Sequence, residues 1–194
     1  MRTVSRRSFL KHSALGLTIV SGGLSGIGLL NRLAFAAPNS GPAPEMTSAE
    51  FVEQEMQKGL HCSQVVVKRF AERRGWNTDE LLAAAVQFSG GMGKNAPCGA
   101  VTGSYMVLGL HAHSLTEGVG PGNQMTYQKH AAFTEEYLRK NGTFVCGELL
   151  GHDFMTPEGA EAIAEQGLLF SICLPMVADT LDILERMIMA EEPG

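Results

Sequence analysis

The chain has 194 residues, room for one ordinary domain beyond any targeting segment, and its 44% apolar content excludes a disordered polypeptide. Aromatic residues at 7% together with ten methionines favour a helical core over a β-sandwich. The formal charge is −5, but five of the 15 basic residues and none of the 20 acidic ones fall in the first 36 positions, so the remainder carries a net charge near −10. That excludes a nucleic-acid binder, which needs a basic face to displace counterions from phosphates.

The N-terminus carries Arg2, Arg6, Arg7 and Lys11, then an apolar run from Ala14 to Leu30, then Ala34-Phe35-Ala36. This is the layout of a signal peptide, with cleavage expected between Ala36 and Ala37. The run is rich in Gly, Ser and Thr, too weakly apolar for a convincing membrane span. Ser5-Arg6-Arg7-Ser8-Phe9-Leu10-Lys11 resembles the twin-arginine export motif, which implies export of an already folded protein to a periplasmic or other extracytoplasmic location. Contact with the membrane is then limited to export. Residues 37–46, with Pro38, Gly41, Pro42 and Pro44, read as an extended linker, and residues 47–191 as the domain.

Within the domain, Thr47-Ser48-Ala49-Glu50 reads as a capping box opening a helix that stops near Gly59. A second helix is predicted from Cys62 to Arg74, with Val65, Val66 and Phe70 inward and Gly75 as its stop. Thr78 can cap a third, from Asp79 to about Phe88. Ser89 to Pro97 is a glycine-rich loop, and an apolar helix follows from Cys98 to about His113. Ser114 to Asn123, with Gly118, Gly120, Pro121 and Gly122, reads as another loop before a more polar, outer helix over 124–140. A short helix at Cys146–Leu150, one opened by Thr156-Pro157 and a last one from about Leu174 to Ala190 complete the chain. The expectation is all-α: a compact single-domain bundle of about six helices with glycine-rich loops.

Cys62, Cys98, Cys146 and Cys173 are the only cysteines, and no two form a C-x-x-C pair. That removes the zinc ribbon, the thioredoxin motif and covalent c-type haem. Each cysteine is predicted at a helix start, where free N–H groups and the helix dipole favour a thiolate suited to a metal or to redox chemistry. Gly90, Gly91, Gly93, Gly99 and Gly103 would let backbone approach such a centre closely. Alternatives stay open: two disulfides in an oxidising compartment, buried inert thiols, or one zinc ion on four thiolates. Histidine ligation is not expected, and no hydrolase signature or catalytic residue stands out.

Gly59-Leu60-His61-Cys62-Ser63-Gln64, Gly90-Gly91-Met92-Gly93, Cys98-Gly99-Ala100-Val101-Thr102-Gly103, Cys146-Gly147-Glu148-Leu149-Leu150 and Cys173-Leu174-Pro175-Met176-Val177 together resemble the redox-active C_GCAxxG_C_C family, over roughly residues 49–186. The resemblance implies an all-helical domain with a four-cysteine redox centre, related to a module of split-Soret cytochromes. The haem-binding part of those cytochromes is lacking, so no haem is carried over. The resulting expectation is an electron-transfer protein in which Cys62, Cys98, Cys146 and Cys173 ligate an iron–sulfur cluster of two or four irons, serving a redox partner protein. Its alternative is a metal-free thiol–disulfide protein or sensor with Cys98 as the attacking thiolate. An enzyme with its own substrate is not expected, and a homodimer is left open.

Overall fold

The structure, a computed structural model, describes residues 46–190. The signal peptide, its cleavage point at Ala36 and Ala37, and residues 37–45 of the linker lie outside the described residues. Among the described residues there are eight α-helices and no strand: α1 (Ser48–Gln57), α2 (Cys62–Arg74), α3 (Thr78–Ala85), α4 (Gly99–Ser114), α5 (Val119–Asn141), α6 (Cys146–Leu150), α7 (Pro157–Glu165) and α8 (Leu174–Met189). The all-α expectation holds, with eight helices where about six were expected. No single helix among the described residues is long and apolar enough to cross a membrane.

Local chemistry sets most boundaries. Thr47 and Glu50 form the expected reciprocal box, Glu50 Oε2 accepting from Thr47 N–H at 2.9 Å and Thr47 Oγ1 from Glu50 N–H at 3.3 Å. Gly75 closes α2 in the left-handed conformation (φ 65°, ψ 28°), where a Cβ would be strained. The helix expected to reach about Phe88 is α-helical only to Ala85 and ends in a 3-10 turn over Val86–Phe88, and two starts also differ from expectation. The cap of α3 is Asn77, whose side chain accepts from Glu80 N–H at 3.3 Å, and Thr78 is already helical. The other is α5, which begins at Val119 rather than 124. Pro121 falls in its first turn, where no N–H is required of it, and Gly122 lies so close to α4 that a Cβ there would sit 2.6 Å from the His113 ring. Glycine and proline that read as loop are here a helix start and a helix contact.

The core lies where α2, α4, α5 and α8 pack on one another, with α1 against α8 and α3 against α2. Val65, Val66, Val67, Leu108, Phe133, Tyr137, Leu181 and Leu184 are fully buried in it. Phe133 and Tyr137 give α5 a buried stripe, so that helix is not merely an outer cover. Charged groups that enter the core are paired: Glu55 accepts from Lys58 at 2.8 Å and Lys68 at 2.6 Å, and Arg69 donates to Glu185 at 3.0 Å while covering the Phe51 ring at 5.0 Å. A second, smaller apolar cluster gathers Cys146, Leu150 and Ile163 with Leu168, Ile172 and Cys173.

Candidate four-cysteine centre

All four cysteines line one cavity of about 540 Å³ at the seam between the two apolar clusters. They arrive as two pairs: Cys62 and Cys98 from the main core, Cys146 and Cys173 from the smaller one. All are free thiols; Cys98 and Cys146 are buried and Cys62 and Cys173 half-buried. Sequence spacing of 36, 48 and 27 positions is bridged entirely by the fold.

Three of the four occupy helix starts. Cys62 is the first residue of α2, Cys98 is the residue that caps α4, and Cys146 is the first residue of α6. Cys173 does not. Leu169–Cys173 form a wide turn that runs into α8 without leaving the right-handed helical conformation, and Leu174 N–H already donates to Leu169 O. Leu174 N–H is therefore used and Pro175 has no N–H to offer, so fewer free donors lie beside Cys173 than beside the other three.

Main-chain hydrogen bonds fix two of the cysteines. Cys98 N–H donates to Phe144 O at 2.7 Å and Cys146 N–H to Ala96 O at 3.0 Å, around a single antiparallel bridge between Pro97 and Val145. Both segments enter helices immediately afterwards, α4 at Gly99 and α6 at Cys146, which limits pairing to that one rung. The separation of the two Cα positions is thus set by backbone rather than by rotamers.

The glycines pack the backbone against the sulfurs. A Cβ at position 99 would lie 2.4 Å from Cys62 Sγ and 2.9 Å from Ser89 Cα, and one at Gly103 2.8 Å from Ser63 O. Gly91 leaves 2.6 Å between such a Cβ and the Ala96 backbone, and 3.0 Å to Cys146 Cβ. Gly90, Gly91, Met92 and Gly93 all have φ near +60°, one turn of left-handed helix, closed by Ala96 N–H donating to Gly91 O at 3.1 Å. L-residues avoid this conformation at a cost of about 1–2 kcal/mol each, which three glycines escape and Met92 does not. Asn95 then anchors the turn to the next loop, donating to Asp153 and accepting from Phe154 N–H at 3.2 Å.

Charge is distributed unequally among the four thiols. Cys62 is pulled down to about 6, foremost by a hydrogen bond from Cys98, then by Gly90 N–H, the Ser89 hydroxyl and Ser63 N–H, against the opposing effect of burial. Cys98 goes well above the usual thiol range because it is the donor to Cys62, is buried and faces that charge. Burial, then the Cys62 charge, pushes Cys146 up to about 11 and Cys173 to about 12. The thiolate falls on Cys62, whereas the sequence pointed to Cys98 as the attacking group.

The residues fit a polynuclear sulfur-bridged centre. Four thiols converge on one cavity and glycines clear its walls. A single ion fits less well: among the described residues, no three His, Cys, Asp or Glu side chains are gathered as a cage for one metal. His61 lies at the cavity mouth and is exposed, His113 is exposed and His111 is buried in the core.

The rim escaped sequence reading. Met92, Phe154, Met155 and Leu169 line the cavity while 39–53% exposed, so apolar surface surrounds its entrance. Phe154 covers Gly90 and Met155 covers Gly93, each within 3.8 Å of where a Cβ would be. Nothing in the local sequence distinguishes these residues from core apolar ones, because their exposure follows from how two distant loops meet.

Residues 60–187 match the family described as Putative redox-active protein (C_GCAxxG_C_C). No curated protein and no solved structure is significantly similar to the chain. The family's pattern places cysteine directly before the alanine of A-x-x-G, whereas here Gly99 precedes Ala100 and Cys98 stands one place earlier. In this chain a side chain at position 99 would collide with Cys62 Sγ. With the match covering two thirds of its length and all four cysteines on one cavity, the chain belongs to the redox-active C_GCAxxG_C_C family.

Proposed function

We propose that this protein transfers electrons through an iron–sulfur cluster ligated by Cys62, Cys98, Cys146 and Cys173. The observation that carries the reading is the convergence of four unpaired thiols, from four separate segments, on one cavity. When bound, such a cluster supplies one-electron exchange without loss or gain of protein bonds. The chain's part is to hold two thiols on the main core and two on the smaller one, to direct N–H groups at Cys62, and to limit water with Phe154 and the methionines. The apolar rim suits docking of a redox partner protein. The twin arginines at positions 6 and 7 support work outside the cytoplasm after folded export.

Anaerobic reconstitution with ferrous iron and sulfide tests the centre. The expected product is coloured, with iron and sulfide in equal amounts and none bound when the four cysteines are replaced by serine. Colourless protein that loads neither overturns the reading. For export, Arg6→Lys combined with Arg7→Lys is expected to retain the protein in the cytoplasm, checked by cell fractionation.

A second reading rests on the Cys62–Cys98 hydrogen bond. The Cys62 thiolate attacks a partner disulfide, forming a mixed disulfide and releasing one partner thiolate; Cys98, passing its proton to that released thiolate, then attacks Cys62 Sγ and releases the other. The products are a Cys62–Cys98 disulfide and a reduced partner, two electrons having passed to the latter. Mass spectrometry of oxidised, metal-free protein distinguishes this by a 62–98 crosslink that exchanges with glutathione.

A further inference from the structure

Tyr137 is fully buried on α5, and its hydroxyl has no hydrogen-bond partner. An unpaired buried hydroxyl costs about 1–3 kcal/mol, a cost phenylalanine at this position would not incur. The other fully buried hydroxyls avoid it: Ser63 donates to Ala85 O, Ser104 to Ala100 O and Thr180 to Met176 O. The ring itself is well placed, stacked on Phe133 with centroids 5.9 Å apart.

The position of Tyr137 follows from the α4–α5 hairpin. The two helices run antiparallel, and Tyr105 of α4 meets His130 at 3.7 Å and Phe133 at 6.0 Å of α5. One turn further along each helix, toward the start of α4, come Val101 and Tyr137, and the next residues in that direction include Cys98. Tyr137 thus sits in the core layer beneath the cysteine end of the hairpin. Burial, foremost, holds the phenol protonated well above its usual range. Tyr137 and Cys98 are members of the same buried core cluster.

We propose that the Tyr137 hydroxyl is kept for the occupied centre, where it donates its hydrogen bond to a sulfur and thereby positions the centre and raises its reduction potential. This rests on the cluster reading above. In the step it influences, one electron arrives from the redox partner protein, the proton stays on the tyrosine oxygen, and no bond forms or breaks. The added negative charge strengthens the O–H to sulfur bond, so the reduced state gains more than the oxidised one.

The experiment compares loaded wild-type and Y137F protein by spectroelectrochemical titration, and the two metal-free proteins by thermal unfolding. The expected result is equal iron and sulfide content, a lower midpoint potential in Y137F with reduction disfavoured about tenfold, and a metal-free variant at least as heat-resistant as wild type. An unchanged midpoint in a variant that loads normally overturns the inference and leaves the cluster reading standing. If wild type itself loads no iron and sulfide, that reading fails and the inference fails with it. Should Y137F not fold, 3-fluorotyrosine placed at position 137 supplies a stronger donor in the same packing; a raised midpoint supports the proposal and an unchanged one overturns it.

Discussion

The two apolar clusters that supply the cysteines differ in depth and in electrostatics. Cys62 and Cys98 belong to a core whose side chains from α2, α4, α5 and α8 are fully buried, whereas Cys146 and Cys173 belong to a patch with only Leu150 and Ile163 as other buried members. The first pair shares a proton and receives N–H donors; the second is only desolvated. A site divided this way has one pair held by global stability and another by local packing, so an occupant that spans both would stabilise mainly the weaker side.

Reactivity is where the contrast should be largest. In metal-free protein, the thiolate fraction of Cys62 grows as pH rises through about 6, while Cys146 and Cys173 remain protonated until about 11 and 12. At pH 7 the thiolate populations differ on the order of 10⁴-fold, so alkylation followed by peptide mapping is expected to mark Cys62 first, with a midpoint near pH 6. Equal labelling of all four cysteines would erase the distinction.

Next in size is G99A. Its Cβ would press on Cys62 Sγ and on the Ser89 backbone, which cannot retreat as a flexible side chain could. A loss of about 3 kcal/mol in chemical denaturation is expected, together with a rise in the alkylation midpoint of Cys62. Ile163→Ala sharpens the comparison differently: about 2 kcal/mol should be lost locally, so amide exchange accelerates in α6 and α7 while α2 and α4 stay protected. Leu181→Ala in the main core should accelerate exchange everywhere. If both variants behave alike, the clusters unfold as one unit.

The smallest effect concerns the left-handed turn. Met92→Gly relieves the one side chain held at φ 58° amid glycines and should raise stability by about 1 kcal/mol, read as a few degrees in the thermal midpoint. Because Met92 also lines the cavity mouth, slower electron exchange with a partner despite the gain in stability would show that the strain serves the rim.

Local signals made much of the fold legible. The Thr47–Glu50 box, Gly75 after α2 and Pro157 opening α7 all act through interactions within one turn, and each is where the sequence placed it. The start of α5 was not legible, since Pro121 and Gly122 carry loop chemistry until one sees that the first is in a turn that needs no N–H and the second abuts His113. The four cysteines were identifiable as a group, but their pairing, the Cys62 thiolate and the different backbone setting of Cys173 depend on contacts between segments dozens of residues apart. Tyr137 was invisible for the same reason: nothing in a sequence marks which buried hydroxyl lacks a partner.

The bridge at Pro97 and Val145 has a consequence for chain connectivity. It ties the chain just before α4 to the chain just after α5, making residues 98–146 a loop closed by main-chain hydrogen bonds. The far end of that loop, 115–118, is largely exposed and lies at the opposite end of α4 from Cys98. A protease nick there, or new termini introduced there by circular permutation, should leave Cys98 and Cys146 facing each other, because their alignment depends on the closed end of the loop rather than on the peptide bonds at its tip.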